Sequence, residues 1–372
     1  MKKPKRIFLS PPWVGKEERA AVARAFDSGY VAPCGPMVDA FERELAALAG
    51  RRHAVAVSSG TAALDLLMAE FGVDASWTVV APSLTFIATV GPAYHRGARL
   101  VFVDSDRTGN VDVALLEKAL ADAARGRSGR RAAKVMFLGV DLYGRCCDYD
   151  AVAEICRRHG AVYVNDSAEA VGASYRGRPA GSAGAAAVFS FNGNKIVTTS
   201  GGGAIVTDDA DLADRARRRS QQSREPFPWY QHAEVGYNYR LSNLLAAVGL
   251  AQLAKLPRIL RIRRRTLARY AQALAGDARY RFLTSPQDES NCWLSVVLTR
   301  GRTVRDRLLA RFAAAGIEAR PVWKPLHLQP VFKDVRRYGG AVAEELFARG
   351  LCLPSGTGMS AGDLARVTRE MA

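Results

Sequence analysis

The stretch at residues 190–203, "SFNGNKIVTTSGGG", places one lysine between two polar turns and follows it with three glycines. Glycine runs cost backbone entropy and suit places where the chain must approach another group closely. The apolar runs on either side, at residues 186–189 and 204–206, predict two buried strands. Lys195 is therefore expected in a connection between buried strands, where a lysine can lose its proton and form a Schiff base.

Strand and helix patterns alternate around this stretch, from about residue 53 to residue 207. Short apolar runs predict further strands at 55–57, 78–80, 100–103, 135–138 and 161–164, and amphipathic runs predict helices at 61–71, 113–124 and 149–159. The alternation predicts an α/β fold with a large, mostly parallel sheet that is covered by helices on both faces. The arginine-rich stretch 125–131 is predicted to be a polar loop inside this domain.

The pattern changes near residue 241. A long helical stretch runs to about residue 274 and is expected to be broken by Pro257. Beyond it, a strand-like run at 294–298, a helical run at 304–315 and a closing helix after Ser360 suit a smaller α+β domain. We therefore predict a large domain over residues 1–245 and a small C-terminal domain over residues 246–372.

The composition is that of a soluble globular protein. With 372 residues, 48% of them hydrophobic, the chain can bury a large core. No apolar run approaches the roughly 20 residues that are needed to span a bilayer, and the basic start at residues 1–6 leads into only three apolar residues. We expect a cytoplasmic protein with no membrane partner.

Cysteine and histidine give no sign of a metal site. The six cysteines are scattered without a C-x-x-C pair, and none has a histidine at the spacing of zinc ligands. We expect free thiols and no metal.

The net charge is +17, from 53 Lys and Arg against 36 Asp and Glu. Such a charge is compatible with nucleic acid, an acidic membrane surface or an anionic small substrate. The arginine runs at 217–219 and 261–265 lie in helical-looking segments, so solvated helix faces are the favoured interpretation. The known DNA- and RNA-binding patterns are missing, so nucleic acid is not expected as a partner. A regulatory DNA-binding protein is the alternative class, and only the charge supports it.

Two further motifs could hold a ligand. Residues 58–64, "SSGTAAL", follow a strand and open a helix, where free N–H groups and the helix dipole make an anion site; an ordinary N-cap explains this piece equally well. Asp166 ends a strand in "VNDSAEAVGA", residues 164–173, where the carboxyl end of a parallel strand faces a ligand crevice. The alternative is an N-cap for a helix at 168–171.

Taken in order, these residues match the needs of pyridoxal phosphate. The cofactor's phosphate needs N–H donors, here at Gly60 and Thr61, and its ring needs a flat face, here Phe86. The ring nitrogen needs a carboxylate, here Asp166, and the aldehyde needs a lysine, here Lys195.

The sequence also resembles the DegT/DnrJ/EryC1/StrS sugar aminotransferases, which have the type I, aspartate aminotransferase-like fold. The resemblance runs from about residue 7 to the end. It includes "SSGTAAL", "PSLTFIAT", "DSAEAVGA", "SFNGNK…SGGG" and "GYNYRLSN". Within the family the chain is most similar to the UDP-4-amino-sugar enzymes of the bacillosamine pathway, through residues 190–203, 320–332 and 352–360.

The resemblance implies a role for each matching residue. Lys195 would bind the cofactor covalently and later move the proton, Asp166 would pair with the ring nitrogen, and Glu169 would lie near the cofactor's phenolic oxygen or the sugar. Other cofactor contacts would come from Gly60, Thr61, Phe86 and Ser190, with Asn238 supplied by a second subunit. Contacts on the substrate side would come from Tyr30, Arg240, Arg320, Trp323, Lys324 and His327.

Two residues depart from the family pattern. Asp141, in "VDLYG" at residues 140–144, stands where many relatives have histidine, and Glu169 replaces a frequent glutamine or histidine. Both departures bear on sugar specificity rather than on amine transfer.

The function implied is that of a cytosolic homodimer with shared active sites, which takes the amino group of L-glutamate through pyridoxamine phosphate as intermediate. The acceptor would be the C4 ketone of a nucleotide-linked 4-keto-6-deoxy sugar in bacterial glycan or polysaccharide biosynthesis, first of all UDP-2-acetamido-2,6-dideoxy-4-keto-hexose. A dTDP- or GDP-linked sugar, or a C3 ketone, is the alternative. Relatives that remove a sugar hydroxyl have histidine in place of the lysine, so Lys195 argues against that reaction.

Overall fold

The structure, a computed structural model, describes residues 5–125, 134–285 and 288–372. The helices are α1 (Lys16–Asp27), α2 (Pro36–Leu48), α3 (Gly60–Glu70), α4 (Gly91–His95), α5 (Val113–Arg125), α6 (Tyr149–Arg158), α7 (Ala210–Arg219), α8 (Asn243–Ala273), α9 (Arg302–Ala314), α10 (Ala341–Arg349) and α11 (Ala361–Met371). The strands are β1 (His53–Val57), β2 (Trp77–Pro82), β3 (Arg99–Val103), β4 (Lys134–Val140), β5 (Val162–Asp166), β6 (Ser174–Tyr175), β7 (Arg178–Pro179), β8 (Ala186–Ser190), β9 (Gly203–Thr207), β10 (Tyr280–Phe282), β11 (Ser295–Thr299), β12 (Arg320–Pro321), β13 (Arg336–Tyr338) and β14 (Gly350–Leu353).

An eight-stranded sheet forms the centre of the molecule, in the order β1-β9-β8-β5-β4-β2-β3-β13. The strands from β8 to β13 in this order pair in parallel, and only the pairs of β9 with β1 and with β8 are antiparallel. Parallel strands buried on both faces require apolar residues throughout, which is why short apolar runs mark them in the sequence. The predicted mostly parallel α/β sheet is confirmed.

Alternate residues of the strands face opposite layers of helices. In β1, for example, Ala54 and Ala56 belong to a core with Phe41 of α2, whereas Val55 and Val57 belong to a core with Leu66 of α3. The helices α2, α5, α6 and α8 contribute to the first of these cores, and α3, α4 and α7 contribute to the second. The sheet is therefore covered on both faces, as predicted.

The C-terminal part of the chain builds a second, antiparallel sheet in the order β10-β11-β14-β12. A separate core joins it to α9 and α11 through Phe312, Val297 and Val367. The N-terminal segment also reaches this region, because Ile7 lies in that core and forms a parallel bridge with Ile317.

The division into domains at residues 245 and 246 stays a proposal. That point falls inside the first turn of α8, which begins at Asn243. In addition, β13 comes from the C-terminal part yet pairs with β3 of the central sheet. Each end of the chain therefore contributes to the other part of the molecule: Ile7 packs in the C-terminal core, and β13 joins the central sheet.

The predicted break at Pro257 is wrong, because α8 is one continuous helix of 31 residues that contains this proline. A proline inside a helix costs about 3 kcal/mol through a lost hydrogen bond and a steric clash. The neighbouring Leu256 and Ile259 are fully buried, and each such side chain contributes about 1.5–3 kcal/mol. The free energy gained by burying these side chains therefore exceeds the cost of the proline.

The prediction that both arginine runs lie on solvated helix faces is also wrong in part. Arg263 is buried with 2% of its surface exposed, and Arg219 forms ion pairs with Glu70 and Glu234. The predicted loop at 125–131 lies outside the described residues apart from Arg125, which ends α5. Among the helices of the described ranges, none is both long enough and apolar enough to cross a membrane.

Candidate active site

The loop that carries Lys195 lies between the antiparallel strands β8 and β9. The first residue of the loop, Phe191, receives a hydrogen bond from the N–H of Thr199 at 2.9 Å, and the N–H of Lys195 donates to the carbonyl oxygen of Asn192, also at 2.9 Å. These bonds fold residues 191–199 into compact turns at the end of the sheet. The predicted position of the lysine, in a connection between two buried strands, is confirmed.

Close packing explains two of the three glycines that follow. A Cβ atom on Gly203 would lie 2.3 Å from the carbonyl carbon of Ser59, and one on Gly202 would lie 2.1 Å from Oγ1 of Thr199. The contact at Gly203 is with backbone, so a side chain there would force the backbone to move. Gly203 thus allows β9 to lie directly against the start of α3, and Gly202 leaves room for the side chain of Thr199.

The amine of Lys195 is largely enclosed, with 13% of its side chain exposed. Its Nζ lies 3.7 Å from Oε1 of Glu169 and 4.2 Å from the ring centroid of Trp293. A carboxylate and an aromatic face both stabilise a cation. The amine is therefore held at a fixed place while charged.

Asp166 ends β5 and points its carboxylate into the same region. Thr89 donates from Oγ1 to Oδ2 at 2.8 Å, and the N–H of Ala168 donates to Oδ1 at 3.1 Å. Burial raises the pKa of Asp166, and the hydrogen bonds from Thr89 and Ala168 and the charge of Lys195 oppose that rise. Residues 168–171 form turns rather than the helix that the capping interpretation required.

Glu169 lies three residues further on and is also buried. The backbone N–H of Tyr143 donates to Oε2 at 2.7 Å, from a residue whose φ of 53° is in the left-handed region. Burial raises the pKa of Glu169, while Lys195 and the Tyr143 N–H lower it. The unusual backbone of Tyr143 thus directs an N–H group at this carboxylate.

The start of α3 provides an anion site beside the lysine loop. Oγ of Ser59 accepts a hydrogen bond from the N–H of Ala62 at 3.0 Å, and the Ser59 carbonyl accepts from Ala63. Since the first N–H groups of a helix have no acceptor within it, those of Gly60 and Thr61 are left for a ligand. Ser59 is therefore an N-cap, and anion binding at Gly60 and Thr61 stays a prediction that this geometry allows.

These groups line one cavity of about 350 Å³. The residues of the sequence prediction that line it are Gly60, Thr61, Phe86, Asp166, Glu169, Ser190, Lys195 and Trp323. Phe86 is 51% exposed and its ring lies 5.4 Å from that of Trp323, so the two aromatic side chains form one wall.

Other predicted residues lie away from this cavity. Asn238 and Arg240 line a different cavity, and Arg240 is buried in an ion pair with Glu42. Tyr30 is exposed, and its carbonyl accepts a hydrogen bond from Asn243.

The predicted residues of β12 and the segment after it also lie in different places. Arg320 pairs with Glu318 and lines an adjacent cavity of about 590 Å³ together with Trp323, and Lys324 is exposed. His327 is buried, with Nδ1 2.5 Å from Oγ of Ser83 and Nε2 3.0 Å from Oε1 of Glu344. Their predicted contacts with substrate stay predictions.

Asp141 lies behind the cavity rather than in it, with none of its surface exposed. Its Oδ2 accepts hydrogen bonds from Ser167 at 2.6 Å, Tyr149 at 2.7 Å and Asn165 at 2.8 Å. Burial raises the pKa of Asp141 to about 6, although these hydrogen bonds and that from the Cys147 N–H oppose the rise. Asp141 therefore holds the residues on either side of Asp166.

Three residues of the site were not predicted from the sequence. Thr89 binds Asp166, Trp293 packs on Lys195, and Tyr143 binds Glu169. Thr89 and Tyr143 stand inside the quoted motifs "PSLTFIAT" and "VDLYG", which was the available signal. Trp293 stands in no motif, since it reaches the lysine from the C-terminal part of the chain.

The chain matches the family model described as "DegT/DnrJ/EryC1/StrS aminotransferase family" over residues 12–372. It is 41% identical over 370 residues to EpsN of Bacillus subtilis (strain 168), which is described as belonging to the pyridoxal phosphate-dependent aminotransferases; the match covers 98% of this chain and 94% of EpsN. It is 37% identical to the GDP-perosamine synthase of Caulobacter vibrioides, with 97% and 96% covered.

A solved structure with the same fold is that of DesI in the presence of its TDP-sugar product. The TM-score is 0.88 at 32% identity, with 98% of this chain and 92% of that chain covered. These similarities extend over both sheets and all the residues of the cavity.

Proposed function

Since this chain belongs to the DegT/DnrJ/EryC1/StrS aminotransferase family and is a pyridoxal phosphate-dependent sugar aminotransferase, we propose that it aminates the C4 ketone of a nucleotide-linked 4-keto-6-deoxy sugar with L-glutamate as donor. The proposed acceptor is UDP-2-acetamido-2,6-dideoxy-4-keto-hexose, and the proposed setting is the cytoplasmic synthesis of a bacterial glycan or polysaccharide. The resemblance of residues 190–203, 320–332 and 352–360 to the UDP-4-amino-sugar enzymes supports this acceptor.

One observation carries the proposal: the amine of Lys195 and the carboxylate of Asp166 line the same cavity, beside the N-terminus of α3. The three groups suit the three parts of pyridoxal phosphate. Gly60, Thr61 and Ser190 would hold the phosphate, Asp166 would keep the ring nitrogen protonated, and Lys195 would bind the aldehyde. The buried carboxylate of Asp166 accepts two hydrogen bonds and has no cation in contact among the described residues, which fits a protonated ring nitrogen as its partner.

The bound cofactor supplies an aldehyde that condenses with amines and a ring that withdraws electrons from the adjacent carbon. The protein supplies the proton transfers. Lys195 would take the proton from the α-carbon of glutamate and pass it to the C4′ carbon of the cofactor. In the second half of the reaction it would take a proton from C4′ and give it to the sugar carbon that receives the amine. Glu169, at 3.7 Å, would stabilise the lysine while it carries the proton within each half of the reaction.

The proposed site for the nucleotide is the adjacent cavity. It shares Asn194, Trp293 and Trp323 with the first cavity, and Arg320 lies on its wall. A guanidinium can bind a diphosphate through paired hydrogen bonds. We therefore place the diphosphate near Arg320 and the keto sugar beside Trp323, with Lys324 as a further cation at the entrance.

The proposal includes a homodimer that shares its active sites. Asn238 lies outside the cavity of its own chain, in "GYNYRLSN", whose resemblance to the family implies a contact with the second subunit. Near it, Trp229 and Tyr230 are 59% and 79% exposed. Such aromatic exposure is typical of a surface that is covered by a partner.

The proposal is tested by incubating the protein and pyridoxal phosphate with L-glutamate and a panel of UDP-, dTDP- and GDP-linked 4-keto-6-deoxy sugars. Mass spectrometry of the nucleotide sugars measures the gain of an amine. We expect the UDP-linked compound to be aminated fastest, and the Lys195→Ala variant serves as the control for amination that does not depend on the enzyme. Amination confined to the dTDP or GDP compounds would reject the UDP acceptor and keep the chemistry.

A GDP-linked acceptor is the second candidate. The relative from Caulobacter vibrioides at 37% identity is named a GDP-perosamine synthase. The same panel decides between the two, because the sugars can be compared at equal concentration and ranked by kcat/KM.

A further inference from the structure

Arg263 is a buried cation of α8. It is 2% exposed, and none of the carboxylates in the described part of the chain forms an ion pair with it. Instead it donates four hydrogen bonds to neutral acceptors: Nε to Oγ1 of Thr357 at 3.0 Å, Nη1 to the carbonyl of Trp293 at 3.1 Å and to that of Ser355, and Nη2 to Oγ of Ser10 at 3.1 Å. Burial lowers the pKa of Arg263 to about 9.

A buried charge without a counter-ion opposes folding, so its presence needs a reason. A hydrophobic residue of similar size would fill the same space at lower cost. The planar guanidinium does what such a residue could not, because it binds three separate segments at once: the N-terminal segment at Ser10, the entry to β11 at Trp293 and the turn after β14 at Ser355 and Thr357.

Two of these partners bind the lysine loop. Ser10 donates from Oγ to the carbonyl of Asn194 at 2.9 Å, and Trp293 donates from Nε1 to the same carbonyl at 2.7 Å. Asn194 directly precedes Lys195, whose amine lies 4.2 Å from the ring centroid of Trp293. The backbone before the lysine and the ring beside its amine are therefore both fixed by residues that Arg263 holds.

We propose that Arg263 is a positioning residue, which acts through Ser10 and Trp293 to hold Lys195 where its amine can transfer the proton. This inference depends on the proposed function for the role of Lys195 as the proton carrier. The small displacement of a catalytic group is known to reduce rates strongly, so loss of this support should slow the proton transfer rather than cofactor binding.

The test compares Arg263→Met with Arg305→Met in the full-length protein. Arg305 is the control, since it is also buried, at 4% exposure, and donates to the backbone of Phe347, but it pairs with Asp306 and has no contact with the lysine loop. Hydrogen–deuterium exchange measured by mass spectrometry reports on the loop directly. We expect faster exchange of the amides at 190–199 in Arg263→Met and parent-like exchange of these amides in Arg305→Met.

The second measurement is the half-reaction with L-glutamate, followed by the visible absorbance of the cofactor and expressed per cofactor-bearing site. We expect Arg263→Met to react about tenfold more slowly or worse, with a larger isotope effect when the α-hydrogen of glutamate is replaced by deuterium. A residue with a merely structural role would reduce the number of active sites without changing the isotope effect. Parent-like exchange and parent-like rates in Arg263→Met would overturn the inference, as would equal loop exchange in Arg305→Met.

Two further variants decide the matter if Arg263→Met does not fold. Ser10→Ala and Trp293→Phe each remove one hydrogen bond to Asn194 and leave the guanidinium in place. Both should accelerate exchange at 190–199 and raise the isotope effect; if neither does, the inference is wrong. Failure of the parent to react with glutamate would contradict the proposed function alone, because the exchange measurement would still test the support of the loop.

Discussion

Lys195, the proposed catalytic lysine, and Lys255 have surroundings of the same kind, so surroundings alone do not assign a catalytic role to a lysine. Each has 13% of its side chain exposed, and each pairs with a glutamate and lies over a tryptophan: Glu169 and Trp293 for Lys195, Glu18 and Trp13 for Lys255. Only Lys195 lines the cavity that also holds Asp166. The difference is one of access to a ligand.

This pair gives the first prediction a matched control. Lys195→Ala should reduce amination by about three orders of magnitude or more, because no other group replaces the proton carrier. It should remain folded and should still bind pyridoxamine phosphate, since the phosphate contacts are on other residues. Lys255→Ala should keep near-parent kcat per folded molecule. Product mass and circular dichroism measure the two properties, and near-parent turnover of Lys195→Ala would refute its assignment.

A second prediction concerns Asp166. Asn at this position keeps the shape and can still accept from Thr89 or Ala168, but it lacks the charge that keeps a ring nitrogen protonated. The rate of amination in Asp166→Asn should therefore fall much more, about 100-fold or beyond, than the affinity for the cofactor. Cofactor titration by fluorescence and product mass give the two numbers. Equal rates in parent and variant would leave the aspartate as only the cap of a turn.

The raised pKa of Asp141 predicts that the free energy of unfolding depends on pH. Its folded pKa of about 6 exceeds the ordinary value of 3.8, so the folded protein binds a proton at this site more tightly than the unfolded chain does. The resulting stabilisation is complete below about pH 4 and is lost as the pH rises through 6. A shift of about two pKa units corresponds to about 3 kcal/mol.

The Asp141→Asn variant isolates this contribution because it does not titrate. The free energy of unfolding in urea should be measured for both proteins between pH 4 and pH 7. The parent should lose up to about 3 kcal/mol relative to the variant as the pH rises. A difference between the two that stays constant over this range would contradict the prediction.

At the scale of the elements, the site depends on the contact of β9 with the start of α3. Gly203→Ala would place a methyl group 2.3 Å from the backbone of Ser59. The start of α3 would then have to move, and the N–H groups of Gly60 and Thr61 would move with it. We expect a loss of about 3 kcal/mol in unfolding free energy and a weaker affinity for the phosphate of the cofactor. Gly201→Ala is the control for stability, because its Cβ would lie 3.8 Å from the nearest atom, an ordinary contact. Equal stability of the two variants would contradict this account.

The elements also show what the sequence alone could reveal. The strands β2 and β8 are apolar apart from Thr78 and Ser190, and the signal for them lies within five or six neighbouring residues. The prediction of a break at Pro257 was wrong because the packing that keeps α8 intact comes from other helices. The hydrogen bond of Thr89 to Asp166 joins residues 77 positions apart, and that of Trp293 to Asn194 joins residues 99 apart. Local patterns carry no information on such pairs.

In the molecule as a whole, one chain brings Lys195 and Asp166 to the proposed cofactor cavity, whereas Asn238 lies outside that cavity. This residue lies with Arg218, Arg224 and Arg240 around a separate cavity. The exposed rings of Trp229 and Tyr230 adjoin this cavity, because they pack on Phe227 and Arg224 of its wall. A second copy of the chain placed on this surface by a twofold axis would make the donation of Asn238 reciprocal.

The last prediction tests this arrangement by mixing two inactive variants. In a shared site, Asn238→Asp would place a carboxylate against the phosphate of the cofactor in the partner chain, and Lys195→Ala would remove the proposed proton carrier. If sites are shared, a mixed dimer has one site with both lesions and one site with an intact Lys195 from one chain and an intact Asn238 from the other. Amination should then reappear when the two variants are refolded together, up to about half of the parent rate per mixed dimer. If Asn238 served its own chain, every site would carry one lesion and mixing would restore nothing.

Each variant alone must be folded, dimeric and nearly inactive, and differently tagged subunits must be recovered in one dimer. With those controls met, the absence of recovered amination would assign Asn238 to the fold of its own subunit.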